Sequence, residues 1–246
     1  MRSIHDNLQA VRERIARAAA AAGRDPRSVT LLAVSKSQGA PLVAQALDAG
    51  QRAFGENYVQ EAIEKMDALA AKSIDWHMIG PLQSNKTRLA AERFGWVQSI
   101  ESEKIARRLS AQRSGKLPPL NLLIQVNVSG EESKSGVSPA VVAPLARAVA
   151  SLPRVRLRGL MAIPEPTRDA GLQRLRFSEV RRLLEELKKE LAGLDTLSMG
   201  MSDDMEAAIA EGATLVRIGT AIFGARARNR GNEVPPVPPL PVRDAA

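Results

Sequence analysis

A (β/α)₈ barrel is the fold class that the sequence predicts, and three observations lead to it. Short apolar runs alternate with longer amphipathic stretches along the chain, which is typical of parallel strands joined by helices. The apolar runs number eight, and eight strand-helix units favour closure of the sheet into a barrel. The chain has 246 residues, close to the ~250 residues of a typical single barrel of this kind.

Each predicted strand is a short apolar run between helical patterns. The eight strands are expected at residues 31–35, 53–55, 76–79, 96–100, 122–128, 159–163, 196–201 and 215–218. The helices between them are expected at 41–49, 59–70, 86–94, 103–113, 139–150, 172–191 and 203–211. An extra amino-terminal helix should precede them, because Ile4, Leu8, Val11 and Ile15 recur at helical spacing on one face. A doubly wound open sheet is the alternative, but the Gly-x-Gly-x-x-Gly of a dinucleotide site does not follow the first strand.

Composition excludes several classes of function. Hydrophobic residues make up 44% of the chain and charged residues 25%, which is enough to build a large core. Cys is absent, which excludes disulfides, thiolate metal sites and cysteine nucleophiles, and we expect no metal site. The amino end does not resemble a signal peptide, and no apolar run approaches the ~18 residues of a membrane span. We therefore expect a cytoplasmic protein that binds no membrane. A monomer is a separate expectation.

The net charge of +8 raises nucleic acid as a partner. The arginines fall within helical patterns mixed with Glu, as on solvated helix faces, and aromatic residues are only 3% of the chain. Because a stacking surface for bases is missing, we expect no specific nucleic-acid binding.

The carboxyl end has a different composition from the rest. Prolines recur from residue 235 to residue 241, and such a segment forms neither helix nor ladder. We therefore divide the chain into a barrel domain at 1–228 and a proline-rich tail at 229–246 that is expected to be disordered. A ligand for a proline-recognition domain is the alternative interpretation of this tail.

Lys36 directly follows the apolar run of the first predicted strand, at the point where a loop should begin. An amine beside apolar surface has its pKa lowered by desolvation, and a neutral amine condenses with aldehydes and ketones to form a Schiff base. The alternative is a lysine whose side chain extends from the strand end to water.

The ends of the seventh and eighth strands predict an anion site. Ser202 is placed to cap the following helix, and Gly200 leaves room for a close approach. Backbone N–H groups of Gly219 and Thr220, with the hydroxyls of Ser202 and Thr220, would form a small cradle for a phosphate. The alternative is that Ser202 only caps a helix and that Gly219 and Thr220 only form a turn.

Arg217 lies two residues before this cradle and should point into the barrel mouth. A structural ion pair with an acidic neighbour is one interpretation, because an unpaired buried guanidinium is costly. The other is a cofactor site. A lysine on the first strand, a phosphate cradle and an arginine between them match the layout for pyridoxal phosphate, with the arginine facing the ring nitrogen.

Longer segments carry a family resemblance. They are LLAVSK at 31–36, FGENYVQE at 54–61, WHMIGPLQSNK at 76–86, QVNVSG at 125–130, GLMAIP at 159–164 and the block at 198–224. In order and spacing these segments resemble the pyridoxal phosphate homeostasis proteins from about residue 31 to residue 226. The proline-rich tail has no expected counterpart.

The resemblance implies a single barrel similar to the amino-terminal domain of alanine racemase. It implies pyridoxal 5′-phosphate held as an aldimine on Lys36, with Arg217 at the ring nitrogen and Asn57 near the ring. It also implies the phosphate on Ser202, Gly219 and Thr220. By sequence alone, Asn57 could equally cap the next helix. We leave two further residues off the site, His77, expected in the core, and Lys134, expected in a surface loop.

The same residues bear on catalysis. Arginine only donates hydrogen bonds, so a ring nitrogen that faces Arg217 is an unprotonated acceptor and the ring is a poor electron sink. Racemisation also needs a second acid-base group, and the one tyrosine, Tyr58, enters a predicted helix. We therefore expect a carrier or regulator of pyridoxal phosphate that is not an enzyme, has no catalytic residues, affects amino-acid balance and has apo-enzymes as partners. The alternatives are a weak racemase or lyase that uses this cofactor, and a Schiff-base aldolase acting on a sugar phosphate.

Overall fold

The computed structural model describes residues 3–129 and 135–224. Lys134 and the predicted tail lie outside the described residues. Eight parallel strands close into a barrel in sequence order, so the predicted fold class is confirmed. The strands are β1 (Thr30–Val34), β2 (Ala53–Glu56), β3 (Asp75–Met78), β4 (Trp96–Ile100), β5 (Leu120–Val126), β6 (Val155–Ala162), β7 (Thr196–Ser198) and β8 (Leu215–Ile218).

Helices surround the barrel and connect successive strands. In the described part of the chain they are α1 (Ile4–Ala21), α2 (Ala40–Asp48), α3 (Val59–Ala68), α4 (Thr87–Arg93), α5 (Glu103–Gln112), α6 (Pro139–Ala150), α7 (Ala170–Lys188), α8 (Met205–Ala210) and α9 (Thr220–Phe223). Short 3₁₀ turns occupy Pro26–Ser28 and Ser84–Lys86. None of the described helices is both long and apolar enough to cross a bilayer.

The predicted amino-terminal helix is present as α1. Ser3 and Asp6 form a reciprocal capping box that satisfies backbone N–H groups at its start. Leu8, Val11 and Ile15 are buried on one face, as their spacing predicts. The helix therefore covers part of the barrel wall.

The barrel closes between its first and last strands. Strand β8 pairs with β1 in parallel, with Leu32 opposite Arg217 and Ala33 opposite Ile218. Strand β1 also pairs with β2, and β8 with β7. The four strands β2, β1, β8 and β7 are therefore consecutive neighbours in the wall.

The core is divided between the two faces of the wall. The large apolar cluster lies between the strands and the helices. A small one, formed by Leu32, Ile79 and Leu215, fills part of the interior. Four buried polar side chains form a series of hydrogen bonds across the interior. The series runs from His77 in β3 through Gln98 in β4 and Ser198 in β7 to Arg217 in β8. The interior is thus partly polar, which the apolar strand pattern did not predict.

Strand β7 is shorter than its apolar run predicts, ending at Ser198 rather than at residue 201. Gly200 has φ +94°, and a Cβ there would lie 2.6 Å from the Cβ of Ala208. The chain therefore turns sharply towards α8 at a position that favours glycine.

Candidate functional site

Six residues that the sequence singles out lie at the same end of the barrel. Four neighbouring strands bring them there, because the carboxyl ends of parallel strands share one rim. They are Lys36 after β1, Asn57 after β2, Ser202 after β7, Arg217 in β8, and Gly219 and Thr220 after β8.

Lys36 follows a strand whose alternate residues face the barrel interior. Leu32 and Val34 belong to the interior cluster, and alternation places Lys36 on the same side, at the mouth. Its side chain is half-buried. The strand ends at Val34, two residues before Lys36, although Ser35 still donates its N–H to the carbonyl of Gly55 at 3.0 Å.

Both chain neighbours of Lys36 are held by charged side chains, of which Lys65 is buried and Glu61 is partly exposed. Lys65 Nζ donates to the carbonyl of Ser35 at 2.7 Å, and Glu61 accepts the N–H of Ser37 at 2.6 Å. Ser37 has φ +62°, a conformation that costs free energy in a non-glycine residue. These contacts hold the backbone turn that carries Lys36.

The charged side chains form a cluster behind β1 and β2. Lys65 Nζ lies 2.8 Å from Glu56 Oε1 and 2.6 Å from Glu61 Oε1, and the Ser35 hydroxyl donates to Glu56 at 2.5 Å. Glu56 Oε2 is buried and has no hydrogen-bond partner among the residues that the structure describes. Burial raises the pKa of Glu56, even though Lys65 and the hydrogen bonds act in the opposite direction. This cluster is therefore costly to assemble and sensitive to the loss of Lys65.

Arg217 lies in the barrel interior and is only 4% exposed. Its Nη1 donates to the carbonyl and hydroxyl oxygens of Ser198 at 2.6 and 2.7 Å, and its Nη2 to the carbonyl of Ala162 at 2.8 Å. Burial lowers its pKa to about 10, with a smaller opposing effect of Asp204. No carboxylate of residues 3–129 or 135–224 forms an ion pair with it, so the structural ion pair considered above is not found there.

The turns after β7 and β8 carry backbone donors that the described chain leaves unused. The N–H groups of Ser202, Asp203, Gly219 and Thr220 donate no hydrogen bond within that part of the protein. A Cβ at Gly219 would lie 3.2 Å from the carbonyl oxygen of Val34, so the turn packs tightly on β1. The arrangement can accept an anion that approaches from the mouth.

The prediction that Ser202 caps the next helix is wrong. Helix α8 begins at Met205, and Asp204 occupies the cap position. Asp204 instead accepts the N–H of Met201 at 2.6 Å, which shapes the preceding turn. The hydroxyl of Ser202 has no hydrogen-bond partner among residues 3–129 and 135–224, so it remains able to contact a ligand.

Asn57 does not cap a helix either, because Tyr58 occupies the cap position of α3. A Cβ at Gly80 would lie 2.4 Å from the carbonyl oxygen of Asn57, so the two backbones touch. A cavity of about 850 Å³ opens at this end of the barrel. Ser202 and Arg168 line it, whereas Lys36 and Arg217 lie outside its lining.

The residues that support the site were not predicted from the sequence. Glu56 carries the clearest signal, since a carboxylate inside a predicted strand needs a partner. Lys65 and Ser198 carry weaker signals, because the first looks like an ordinary helix lysine and the second like an ordinary strand serine. His77 is buried and hydrogen-bonded, as expected.

Comparison with known proteins identifies the family. Residues 7–227 match the family model of the alanine racemase N-terminal domain. The pyridoxal phosphate homeostasis protein of Pseudomonas aeruginosa is 59% identical over 226 residues, covering 92% of this chain and 97% of that protein. The chain belongs to the pyridoxal phosphate homeostasis protein family. The protein of the same name from Escherichia coli K12 is 55% identical over 232 residues, covering 92% and 98%.

Solved structures include proteins that are similar to this chain. PipY of Synechococcus elongatus with PLP bound has a TM-score of 0.78 at 37% identity, covering 90% of this chain and all of that one. Alanine racemase from Corynebacterium glutamicum has a TM-score of 0.65 at 16% identity. That match covers 89% of this chain and 61% of the racemase, and it supports the barrel fold alone.

Proposed function

We propose that this protein binds pyridoxal 5′-phosphate at the barrel mouth, holds it as a Schiff base on Lys36, and serves pyridoxal phosphate homeostasis. One observation carries the proposal: an amine, a buried guanidinium without a carboxylate partner in the described chain, and unused backbone donors surround one mouth. The family name of the relatives and the PLP-bound state of PipY support the same cofactor.

The donor set fits a phosphorylated pyridine. Ser202, Gly219 and Thr220 offer N–H groups and hydroxyls to the phosphate, and the positive charge of Arg217 favours an anionic ligand. Asn57 reaches the same mouth from β2 and is assigned to the ring. The barrel domain at 1–228 would then be the whole binding unit.

Arg217 determines which chemistry the site favours. Bound pyridoxal phosphate supplies an aldehyde and an electron-accepting ring. A guanidinium is a donor only, so Arg217 offers the ring nitrogen a hydrogen bond and no carboxylate to keep it protonated. We infer that this protein is a carrier or regulator rather than an enzyme, that it influences amino-acid balance, and that apo-enzymes receive its cofactor. Cytoplasmic location and a monomeric state belong to the same proposal.

The Schiff base is tested by reductive labelling. The protein is incubated with pyridoxal phosphate, reduced with borohydride, digested and mapped by mass spectrometry. We expect the label on Lys36, its loss in Lys36→Ala, and its retention in Lys104→Ala, a control at an exposed helix position. A label on another lysine of the wild type would overturn the assignment. The absorption band of the bound cofactor also separates this proposal from a sugar-phosphate aldolase.

A weak racemase or lyase is the second candidate, and Glu101 is the observation that favours it. Glu101 directly follows β4, across the barrel from β8, and burial raises its pKa despite hydrogen bonds from Gly136 and Ser135. A carboxyl group with a raised pKa holds its proton to a higher pH than an ordinary glutamate, which suits a proton donor. Exchange of the α-proton of amino acids in deuterated water tests this: rapid exchange that is lost in Glu101→Gln would favour the enzyme.

A further inference from the structure

Four hydrogen bonds connect Arg217 with the opposite end of the barrel. Its Nη1 donates to Ser198 Oγ at 2.7 Å, and the Ser198 hydroxyl donates to Gln98 Oε1 at 2.6 Å. Gln98 Nε2 lies 2.8 Å from His77 Nδ1, and His77 Nε2 lies 3.1 Å from Asp75 Oδ2. The three middle residues are buried in the interior.

The residues at the two ends, Arg217 and Asp75, determine which group donates and which accepts in each of these hydrogen bonds. Arg217 can only donate, and an ionised Asp75 can only accept. If the imidazole of His77 is neutral, Gln98 must therefore turn its NH₂ towards His77, and the proton of His77 is on Nε2. No other arrangement with a neutral imidazole satisfies every link.

The histidine end is held rigidly. The rings of His77 and Trp96 stack at a centroid distance of 5.0 Å and an angle of 7°. Arg158 lies 4.9 Å from the centroid of the Trp96 ring and forms an ion pair with Asp195. These contacts fix the position of the imidazole ring, and with it the donor and acceptor roles of the hydrogen bonds that lead to Arg217.

The direction matters at Ser198. Its hydroxyl proton is committed to Gln98, so only lone pairs face the guanidinium. Three hydrogen bonds to protein oxygens then use three of the five N–H groups of Arg217 and fix its plane. The two remaining N–H groups keep one orientation.

We propose that Ser198, Gln98 and His77 are positioning residues that aim Arg217 at the ring nitrogen of the cofactor. This inference rests on the proposed function for its ligand, but the direction of the hydrogen bonds is a property of the protein alone. A purely structural network would satisfy buried polar groups without affecting cofactor affinity. Substitutions in a positioning network should therefore change the affinity for the cofactor, whereas substitutions in a purely structural network should not.

The first experiment uses the two histidines of the chain, His5 and His77. Long-range ¹H–¹⁵N spectra of protein labelled with [¹⁵N]histidine should show a neutral His77 protonated on Nε2 in the absence of cofactor. Pyridoxal phosphate should shift the ¹⁵N signals of His77 and leave exposed His5 unchanged. A proton on Nδ1, a doubly protonated ring, or an unresponsive His77 in protein that has bound cofactor would each overturn the proposal.

The second experiment measures the Kd for pyridoxal phosphate in Ser198→Ala and Gln98→Met. Ser110→Ala is the control, because this serine is also buried and donates one hydrogen bond to the carbonyl of Pro153, outside the interior. We expect about a tenfold increase in Kd for Ser198→Ala, since a hydrogen bond to a charged group is lost. Gln98→Met should change Kd in the same direction and abolish the His77 response.

Unchanged Kd values in both variants, matching Ser110→Ala, would overturn the positioning role. If Gln98→Met does not fold, the wild-type histidine spectra decide the question alone. Wild-type protein that fails to bind pyridoxal phosphate would contradict the proposed function instead, while the cofactor-free spectrum would still test the direction of the hydrogen bonds.

Discussion

Replacing Lys65 by methionine should destabilise the protein strongly. The side chain of Lys65 is 5% exposed, and its amine contacts Glu56, Glu61 and the carbonyl of Ser35. Methionine keeps most of the volume, so little cavity forms, but Glu56 is left buried without its cation. Removing one partner of a buried ion pair costs about 3–5 kcal/mol. That is a large part of the roughly 5–15 kcal/mol by which proteins of this kind are stable.

The destabilisation should depend on pH. Lys65 acts to lower the pKa of Glu56, which burial already raises above its ordinary value of 4.5. Without the lysine, the pKa of Glu56 in the folded protein rises further. At any pH between the pKa of Glu56 in the unfolded chain and its pKa in the folded protein, the folded protein therefore binds more protons. Stability then falls as pH rises through this interval. The deficit should be largest at neutral pH and should shrink as the pH is lowered towards 4.5.

Urea unfolding at two pH values measures this effect through the midpoint and the slope m. Lys104→Met is the matched control on an exposed helix face and should unfold like the wild type. The double variant Lys65→Met/Glu56→Leu should recover much of the loss, because no buried charge remains. A deficit below about 1 kcal/mol with unchanged m, a value typical of exposed pairs, would refute the assignment of Lys65 as a buried counter-ion.

Three further predictions concern the mouth. Gly200→Ala should lower the free energy of unfolding in urea by about 2 kcal/mol or more, because the residue has φ +94° and its Cβ would meet Ala208. Gly115→Ala is the control, since open space surrounds that glycine, and it should have little effect. Equal losses of stability in the two variants would contradict this prediction. Arg217→Lys should raise the Kd for pyridoxal phosphate at least about tenfold in a binding titration, since a point charge cannot reproduce three directed hydrogen bonds. Arg217→Glu should increase α-proton exchange on amino acids above the wild-type rate by allowing a protonated ring nitrogen, and a decrease would show that the arginine assists catalysis. The last variant should also lower the thermal midpoint, because its carboxylate would face the carbonyls of Ala162 and Ser198.

Periodicity alone determined much of the fold. Two strands, Trp96–Ile100 and Leu215–Ile218, and the helix Pro139–Ala150 have the bounds that the sequence predicts. Apolar side chains at regular spacing must be buried wherever they lie, so the number and order of the elements follow from local information. Composition also indicated the proline-rich tail, which stays a prediction because it lies outside the described residues.

The boundaries were less predictable where tertiary contacts override the pattern. The apolar run at 196–201 continues past the end of β7, and only the packing of Gly200 against α8 shows why the strand stops. Ser202 has the right type and position for a helix cap, but α8 begins later and uses Asp204. Capping preference is a local tendency, and the geometry of the turn decided against it.

The candidate site also has a part that was predictable from the sequence and a part that was not. Residue type and position at strand ends were enough to select Lys36, Arg217 and the Gly219 turn, because parallel strands in a barrel bring their carboxyl ends to one rim. The contacts between residues distant in sequence were not predictable. Ser198 and Gln98 are 100 positions apart, and their hydrogen bond depends on which residues of β4 and β7 point inward at the same height. The burial of Glu56 with Lys65 likewise depends on the packing of α3 against β2, so side-chain partners inside the barrel were decided by the tertiary structure.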